Sequence, residues 1–503
     1  MRSILKKFYS GNRAICNVFF LGLLLRLIFT FFIAPFYFNR TNIHFDNDTT
    51  AWMAALSNLI YQGEFTVMLN NEFAAYCRMP GYSLFLAPAF ELVSFSYYLQ
   101  GIDVKTHTEM WYSVLKITAF LQIVLDSISI YFIYYISKKT IKQHKVAITV
   151  ALLYAFYPFV IVWNPVCYSE IPSIFFGLLA LVLVLASNKN YVMAFAGAAL
   201  GFAVLNRPQF ALLAPLMIFF FYQKYGSFNK QYFTKLFVFF VLFSCTYGAW
   251  PIRNYIRFNK VIITQDLRGF DNWNDDVIAF MQYIYSVKSE WQPQFSNILQ
   301  NKQVDFPEIA YSTAEDSLKL ERAVYLAKNC GRGFSEWGGY WKATIPIFDT
   351  ANDCSKEVAR LFNELRQSQI EKHPFNFYVK VPLQNLKKAI FKSGLSDNTS
   401  FARKLGGYLF YFRTLLILTG IAGLFLMFRK KELRPIALFI GSFFGMLYFY
   451  LCFGTSPQCR NIEMRYFLQP DVLMLIPAAF IFCQIKGFSN FVQRFLPPAV
   501  KEN

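Results

Sequence analysis

Residues 1–38 read MRSILKKFYSGNRAICNVFFLGLLLRLIFTFFIAPFYF, and the fold class turns on them. Arg2, Lys6, Lys7 and Arg13 precede an apolar run from about Ile15 to Phe38 whose one charged residue is Arg26. About 20 consecutive apolar residues suffice to cross a hydrocarbon core of about 30 Å. A cleaved leader has a shorter apolar core and a small-residue cleavage site, and neither is evident. The expectation is an uncleaved first span with its N-terminus in the cytoplasm. Similar runs follow near 112–136, 146–163, 169–187, 191–205, 208–223, 234–250, 406–428, 435–453 and 466–485. They predict an all-α polytopic membrane protein of about ten spans with both termini inside.

Composition agrees with that reading. Hydrophobic residues make up 55% of the 503 and charged residues 16%, with 59 Phe and 31 Tyr; aromatic residues gather at membrane interfaces. The net charge of +19 raises the possibility of nucleic acid, but its distribution answers that. Lys and Arg concentrate in 1–14, 137–145, 188–190, 223–235, 429–434 and 486–503, the segments that ten spans place inside. The charge is therefore an orientation signal, and no nucleic-acid partner is expected. The nine cysteines form no Cys-x-x-Cys pair, so neither a zinc ribbon nor a disulfide scaffold is indicated. Cys330 and Cys354 share one polar region and could pair in an oxidising compartment.

The run from Pro80 to Leu99 is read as an interfacial or half-inserted helix, because counting it as a span would put Lys138, Lys139, Lys142 and Lys145 outside. Three parts follow: an N-terminal membrane module over 1–250 that includes a first outer loop at 39–111, an outer region over 251–405, and C-terminal spans with a tail over 406–503. Within the outer region, helices are expected over 312–329, opened by a capping box at Ser312 and Glu315, and over 356–372. The seventh span is expected to end at Trp250-Pro251, and Asn206-Arg207-Pro208 to break two short spans.

Charged residues beside these spans are the candidates for chemistry. The first outer loop reads His44-Phe45-Asp46-Asn47-Asp48-Thr49. Asp46 and Asp48 could hold a divalent metal through hard oxygens, one of them could act as a general base, or Asp48 could simply cap the helix that follows. Arg78, six residues after Glu72, could grip a phosphate or make a lipid headgroup contact. Glu170 and Arg207 sit at outer mouths of spans, Arg253 where the chain leaves the seventh, and Arg460 and Arg465 before the last. Arg26 and Asp126 lie deeper and read as a structural pair. Carboxylates and arginines at one membrane face suit a reaction on an anionic lipid headgroup, with a carboxylate activating a nucleophile and arginines stabilising a leaving phosphate. A transporter would place more ionisable residues near the midplane, and no phosphate-binding Gly-x-x-x-x-Gly-Lys-Ser/Thr sequence is present for an ATP motor.

Several landmarks occur in order along nearly the whole chain: Asp46 and Asp48, Arg78-Met-Pro-Gly-Tyr-Ser, Tyr168-Ser-Glu170-Ile-Pro172, Asn206-Arg207-Pro208, Trp250-Pro-Ile-Arg-Asn-Tyr255 and Arg465-Tyr466-Phe-Leu-Gln-Pro470. In these the sequence resembles the GT-C superfamily of integral membrane glycosyltransferases, in particular glycosyltransferase family 39-like proteins, relatives of protein O-mannosyltransferases and of lipid A aminoarabinose transferase. It departs in reading Arg78-Met79-Pro80 where a paired proline is common, which puts a catalytic role for Glu72 in doubt.

The resemblance implies a polyprenyl- or dolichyl-phosphate sugar as donor and a protein, glycan or lipid as acceptor. It implies a site on the non-cytoplasmic face, Asp48 as the catalytic residue and Asp46 as a supporting or metal-coordinating carboxylate. Arg78, Arg207, Arg253 and Arg465, with Glu170, are the expected substrate and phosphate contacts, and transfer would invert configuration in one displacement. A bacterial inner membrane, with the site facing the periplasm, is the expected location. A flippase of lipid-linked sugars, or an oligosaccharide transferase of the same fold, is the competing expectation.

Overall fold

The computed structural model describes residues 2–39, 42–69, 71–102, 109–341, 344–345, 349–391, 401–456 and 459–493. Every regular element among them is a helix. Six segments are long and apolar enough to cross a membrane: Arg13–Phe38, Met110–Ile141, Lys230–Phe258, Gly407–Arg429, Arg434–Phe453 and Met464–Phe482. The remaining expected runs also form helices, but shorter ones: His144–Ala155, Glu170–Ala186, Asn190–Asn206 and Leu213–Tyr225. The 12 residues of His144–Ala155 reach only about 18 Å. The run expected over 146–163 breaks because Pro158 starts a separate turn, Pro158–Ile161, having no N–H to continue the ladder. Its shortness is tolerated because other helices rather than lipid cover it, with Ile148, Val150, Ala151 and Tyr154 fully buried.

Small residues set how closely the bundle packs. Gly197 lies so near the Lys230–Phe258 helix that an added Cβ would stand 2.0 Å from the Phe239 carbonyl oxygen. One turn on, Gly201 meets Thr246 in the same way. This small-xxx-small spacing lets two membrane helices touch along their backbones. Gly81 plays that part at the polar end, where its missing side chain leaves room for the backbone of Leu205 and Asn206. The helix Gly81–Leu99 thereby starts against the break at Arg207. Its buried face carries Tyr82, Leu86, Ala89, Phe90 and Val93, while Leu92, Phe95, Tyr98 and Leu99 are exposed.

Ion pairs are buried deep inside the bundle. Arg26 donates to Asp126 at 2.5 Å, and Tyr154 and Asn164 also donate to that carboxylate, at 2.6 and 2.7 Å. Arg26 and Asp126 are thus the structural pair the sequence suggests. Arg413 and Asp471 make a second one at 2.7 Å, completed by Tyr448 and Tyr157. The added hydrogen bonds from the tyrosines and Asn164 offset part of the cost of such burial.

Two helix ends differ from expectation. The seventh span does not stop at Pro251 but continues to Phe258, ended by Asn259 in the left-handed region at φ 50°. Its last turns are tied down by Trp250 Nε1 donating to the Thr264 carbonyl at 2.6 Å and Asn254 donating to that of Ile262 at 3.1 Å. The helix expected from Ser312 begins two residues later, as Ala314–Asn329, with the Thr313 hydroxyl accepting from the Asp316 N–H at 3.1 Å. Ser312 is engaged elsewhere, donating to the Ile309 carbonyl at 2.7 Å, so the expected Ser312–Glu315 box is not the cap. The second expected helix is Ser355–Lys372.

Between Asp275 and Lys372 the chain builds its own core around Phe280, Tyr283, Phe295, Phe334 and Phe362. Cys330 and Cys354 are joined by a disulfide. Helix Val381–Phe391 then rejoins the bundle, where Arg413 donates to the Ala389 carbonyl and Thr414 to that of Ile390, both at 2.6 Å.

Candidate functional site

The first loop is pinned before its helix begins. His44 Nδ1 donates to the Pro165 carbonyl at 2.8 Å, the Cys167 N–H to the His44 carbonyl at 3.1 Å, and the Thr49 hydroxyl to the Cys167 carbonyl at 3.2 Å. The turn closes on itself through the Asp46 N–H, which donates to the Thr49 hydroxyl. Asp48 therefore sits in the first turn of Asn47–Gln62 at a fixed position against the 164–168 segment. Its carboxylate accepts from Arg78 Nη2 at 2.7 Å and from Arg465 Nη1 at 2.8 Å.

Each of those arginines is also held from behind. Arg78 lies between two aromatic faces, 5.4 Å from the Trp52 ring centroid and 4.9 Å from that of Phe270, a favourable seat for a guanidinium. Arg465 stands over Tyr168 at 5.1 Å and Tyr466 at 5.3 Å, and its Nε donates to Glu463 at 2.6 Å. Glu463 is oriented by the Asn461 amide at 3.0 Å and the Tyr466 hydroxyl at 3.3 Å. Arg207, displayed by the break before Pro208, pairs with Glu170 at the start of helix Glu170–Ala186. Arg465 Nε also comes within 4.0 Å of Glu170.

These groups line a cavity of about 280 Å³. Its wall is completed by the 264–273 segment with Thr264, Gln265 and Trp273, and by Tyr450 and Leu451 at the end of helix Arg434–Phe453. The 264–273 segment is fixed to the first loop by the Asp266 N–H, which donates to the Tyr76 carbonyl at 3.1 Å.

Of the expected site residues, Asp48, Arg78, Glu170, Arg207 and Arg465 meet in this cavity; Asp46 and Arg253 are not in its wall. Arg253 donates to the Phe65 and Ala75 carbonyls at 2.7 and 2.8 Å, which makes it a brace for the first loop rather than a phosphate contact. Its position at the end of a membrane run suggested the latter, but the run continues as helix and turns the side chain toward 65–75. Glu72 is likewise remote, paired with Lys260 at 2.7 Å. Glu170 cannot attract an anion by itself; its place is as the partner of Arg207. Glu463 was not singled out by the sequence, although an acid two residues before Arg465 was the available signal.

Burial works against ionisation of Asp48, but the charges of Arg78, Arg465 and Arg207 outweigh it and hold the carboxyl at about 2. The donors for a metal do not fit. Among the described residues no three His, Cys, Asp or Glu side chains converge, both Asp48 oxygens are taken by guanidinium groups, and Asp46 lies outside the wall. The Asp46–Asp48 metal pair is therefore not assembled by this geometry.

Residues 112–250 match the model of the family described as dolichyl-phosphate-mannose-protein mannosyltransferase. That stretch contains Glu170 and Arg207, but not Asp48, Arg78 or Arg465. No curated protein matches the chain. Among solved structures, it is similar to the archaeal oligosaccharyltransferase AglB from Archaeoglobus fulgidus in complex with an inhibitory peptide and a dolichol-phosphate. That similarity has 13% identity, a TM-score of 0.48, and covers 98% of this chain and 53% of that one. An Archaeoglobus fulgidus oligosaccharyltransferase tethered to an acceptor peptide gives 12% identity and 0.48, over 95% of this chain and 50% of that one. ArnT from Cupriavidus metallidurans in the apo state gives 11% and 0.30, over 90% and 77%. The chain thus spans about half the length of the two oligosaccharyltransferases.

Proposed function

We propose that this protein is a membrane glycosyltransferase that moves a sugar from a polyprenyl-phosphate carrier to an acceptor hydroxyl on a protein, glycan or lipid. The observation that carries this reading is the convergence of Arg78, Arg207 and Arg465 around one ionised first-loop carboxylate, Asp48. The family match over residues 112–250 supports it independently. The concentration of Lys and Arg in the segments expected inside supports a site on the non-cytoplasmic face, in a bacterium the periplasmic side of the inner membrane.

In the reaction the acceptor hydroxyl gives its proton to an Asp48 oxygen as its own oxygen bonds to the anomeric carbon. The bond from that carbon to the phosphate oxygen breaks, and its electron pair leaves with the lipid phosphate, inverting the configuration. Guanidinium groups beside the phosphate stabilise the charge that develops on it.

A transfer assay tests this. The protein in lipid nanodiscs receives a panel of short-chain polyprenyl-phosphate sugars, and released lipid phosphate is followed with and without EDTA. Release with one donor, unaffected by EDTA and reduced at least about a thousandfold in Asp48→Asn, is the expected result. Near-normal release by Asp48→Asn would remove Asp48 as the base. Release from no donor, together with movement of lipid-linked sugar across the bilayer, would support a flippase instead.

A further inference from the structure

We propose that Arg78 and Arg465 together form the seat of the donor's phosphate, and that Asp48 fills this seat until the donor arrives, so that binding exchanges one anion for another. The proposal rests on the glycosyltransferase reading and specifies how its site is regulated. Asp48 places one oxygen on each guanidinium, at 2.7 and 2.8 Å. Two phosphate oxygens can reproduce that pairing, because carboxylate and phosphate present similar acceptors to arginine.

Three features mark this pair rather than Arg207 as the exchangeable one. Asp48 has a side chain 27% exposed to the cavity, whereas Glu170, the partner of Arg207, is 1% exposed. Arg78 is stacked between Trp52 and Phe270, contacts that do not involve Asp48. Arg465 keeps its Nε bond to Glu463 while Nη1, the atom on Asp48, faces the exchange. Both cations are thus anchored by groups other than the anion they would trade.

The charged residues of the cavity wall are three arginines, Arg78, Arg207 and Arg465, and three carboxylates, Asp48, Glu170 and Glu463. A phosphate added to this balanced set would bury an uncompensated negative charge, which is costly. If it takes Arg78 and Arg465, Asp48 is released in the same event. Exchange moves the uncompensated charge from the phosphate to Asp48, whose side chain is 27% exposed and can be solvated. An aspartate held by two guanidinium groups is a poor proton acceptor, and one freed from them is a better one. The base is therefore exposed only when a leaving group is in place.

Binding without turnover tests the exchange. Wild type, Asp48→Asn and Asp48→Ser in nanodiscs are titrated with farnesyl phosphate and, in parallel, with inorganic phosphate. If Asp48 competes for the seat, both variants bind either probe about tenfold tighter or more, since the guanidinium pair is no longer neutralised. A base that does not occupy the seat gives unchanged affinity, and a carboxylate that helps hold the phosphate gives weaker affinity; either result in a folded variant overturns the exchange. The serine variant, smaller and neutral, serves if the asparagine variant does not fold. A gain confined to farnesyl phosphate also overturns the proposal, because it would assign the effect to the tail. Failure of all three proteins to bind farnesyl phosphate removes the lipid-phosphate reading itself, which separates the two failures.

Discussion

Arg78, in the first loop, and Arg253, in the Lys230–Phe258 helix, are both close to aromatic rings, yet they meet different partners. Arg78 meets a carboxylate in a cavity, while Arg253 meets two backbone carbonyls. A guanidinium on carbonyls fixes chain geometry, and removing it strands acceptors rather than a ligand. Arg253→Ala is therefore expected to lower the thermal midpoint by a few degrees while leaving farnesyl phosphate affinity within about twofold. Arg78→Gln is expected to weaken that affinity about tenfold or more. Titration and thermal unfolding of the two variants side by side check the pair, and a loss of affinity in Arg253→Ala equal to that in Arg78→Gln would return Arg253 to the site. Most of the cavity was legible in the sequence, because Asp48, Arg78, Glu170, Arg207 and Arg465 are charges beside apolar runs, where chance placement is expensive. Arg253 satisfied that criterion too and lies elsewhere, since sequence position does not show which way a side chain leaves its helix. Glu463 meets the same criterion but lies between Arg460 and Arg465, whose charges dominate that stretch of sequence.

At the scale of elements, the polar helical unit contains a buried acid whose titration has a readable consequence. Asp276 is fully buried at the start of helix Asp275–Val287. Burial pushes its carboxyl up to about 6, although the Val277 and Gly333 N–H groups bond to it and oppose the shift. A carboxyl raised on folding stabilises most below its unfolded value of about 3.8 and loses that contribution as pH rises through about 6. The unit is expected to lose on the order of 2–3 kcal/mol between pH 4 and pH 7.5 from this group. Asp276→Asn should flatten that dependence, as followed by tryptophan fluorescence during thermal unfolding from pH 4 to 7.5. An unchanged slope in the variant would assign the loss to other groups. Helices of this kind were legible from periodicity, and their starts less so, because Thr313 and Ser312 are equally good caps on paper and only tertiary contacts decide between them. In the bundle, the ion pair of Arg413 and Asp471 escaped notice because single charges vanish inside long apolar runs, whereas the break at Asn206-Arg207-Pro208 was visible through its proline.

For the whole molecule, the testable statement is orientation. The basic loops and the cavity belong to opposite faces if the charge distribution sets the topology. In a cysteine-depleted background that keeps the Cys330–Cys354 disulfide, Lys142→Cys should react with a membrane-impermeant maleimide only after permeabilisation, and Glu315→Cys should react in intact cells. The reverse pattern would invert the topology, and labelling of both in intact cells would break the alternation of spans.

The balanced wall of the cavity also bears on which lipids it meets. Fixed charges that cancel within a few ångströms project little field into the surrounding leaflet, so the abundant anionic phospholipids have no reason to gather at its mouth. A strongly cationic entrance would collect them and remain crowded by molecules that cannot react. Here recognition is deferred to contact, where a headgroup must be good enough to displace a resident carboxylate, and selectivity comes from the quality of that competition rather than from long-range attraction.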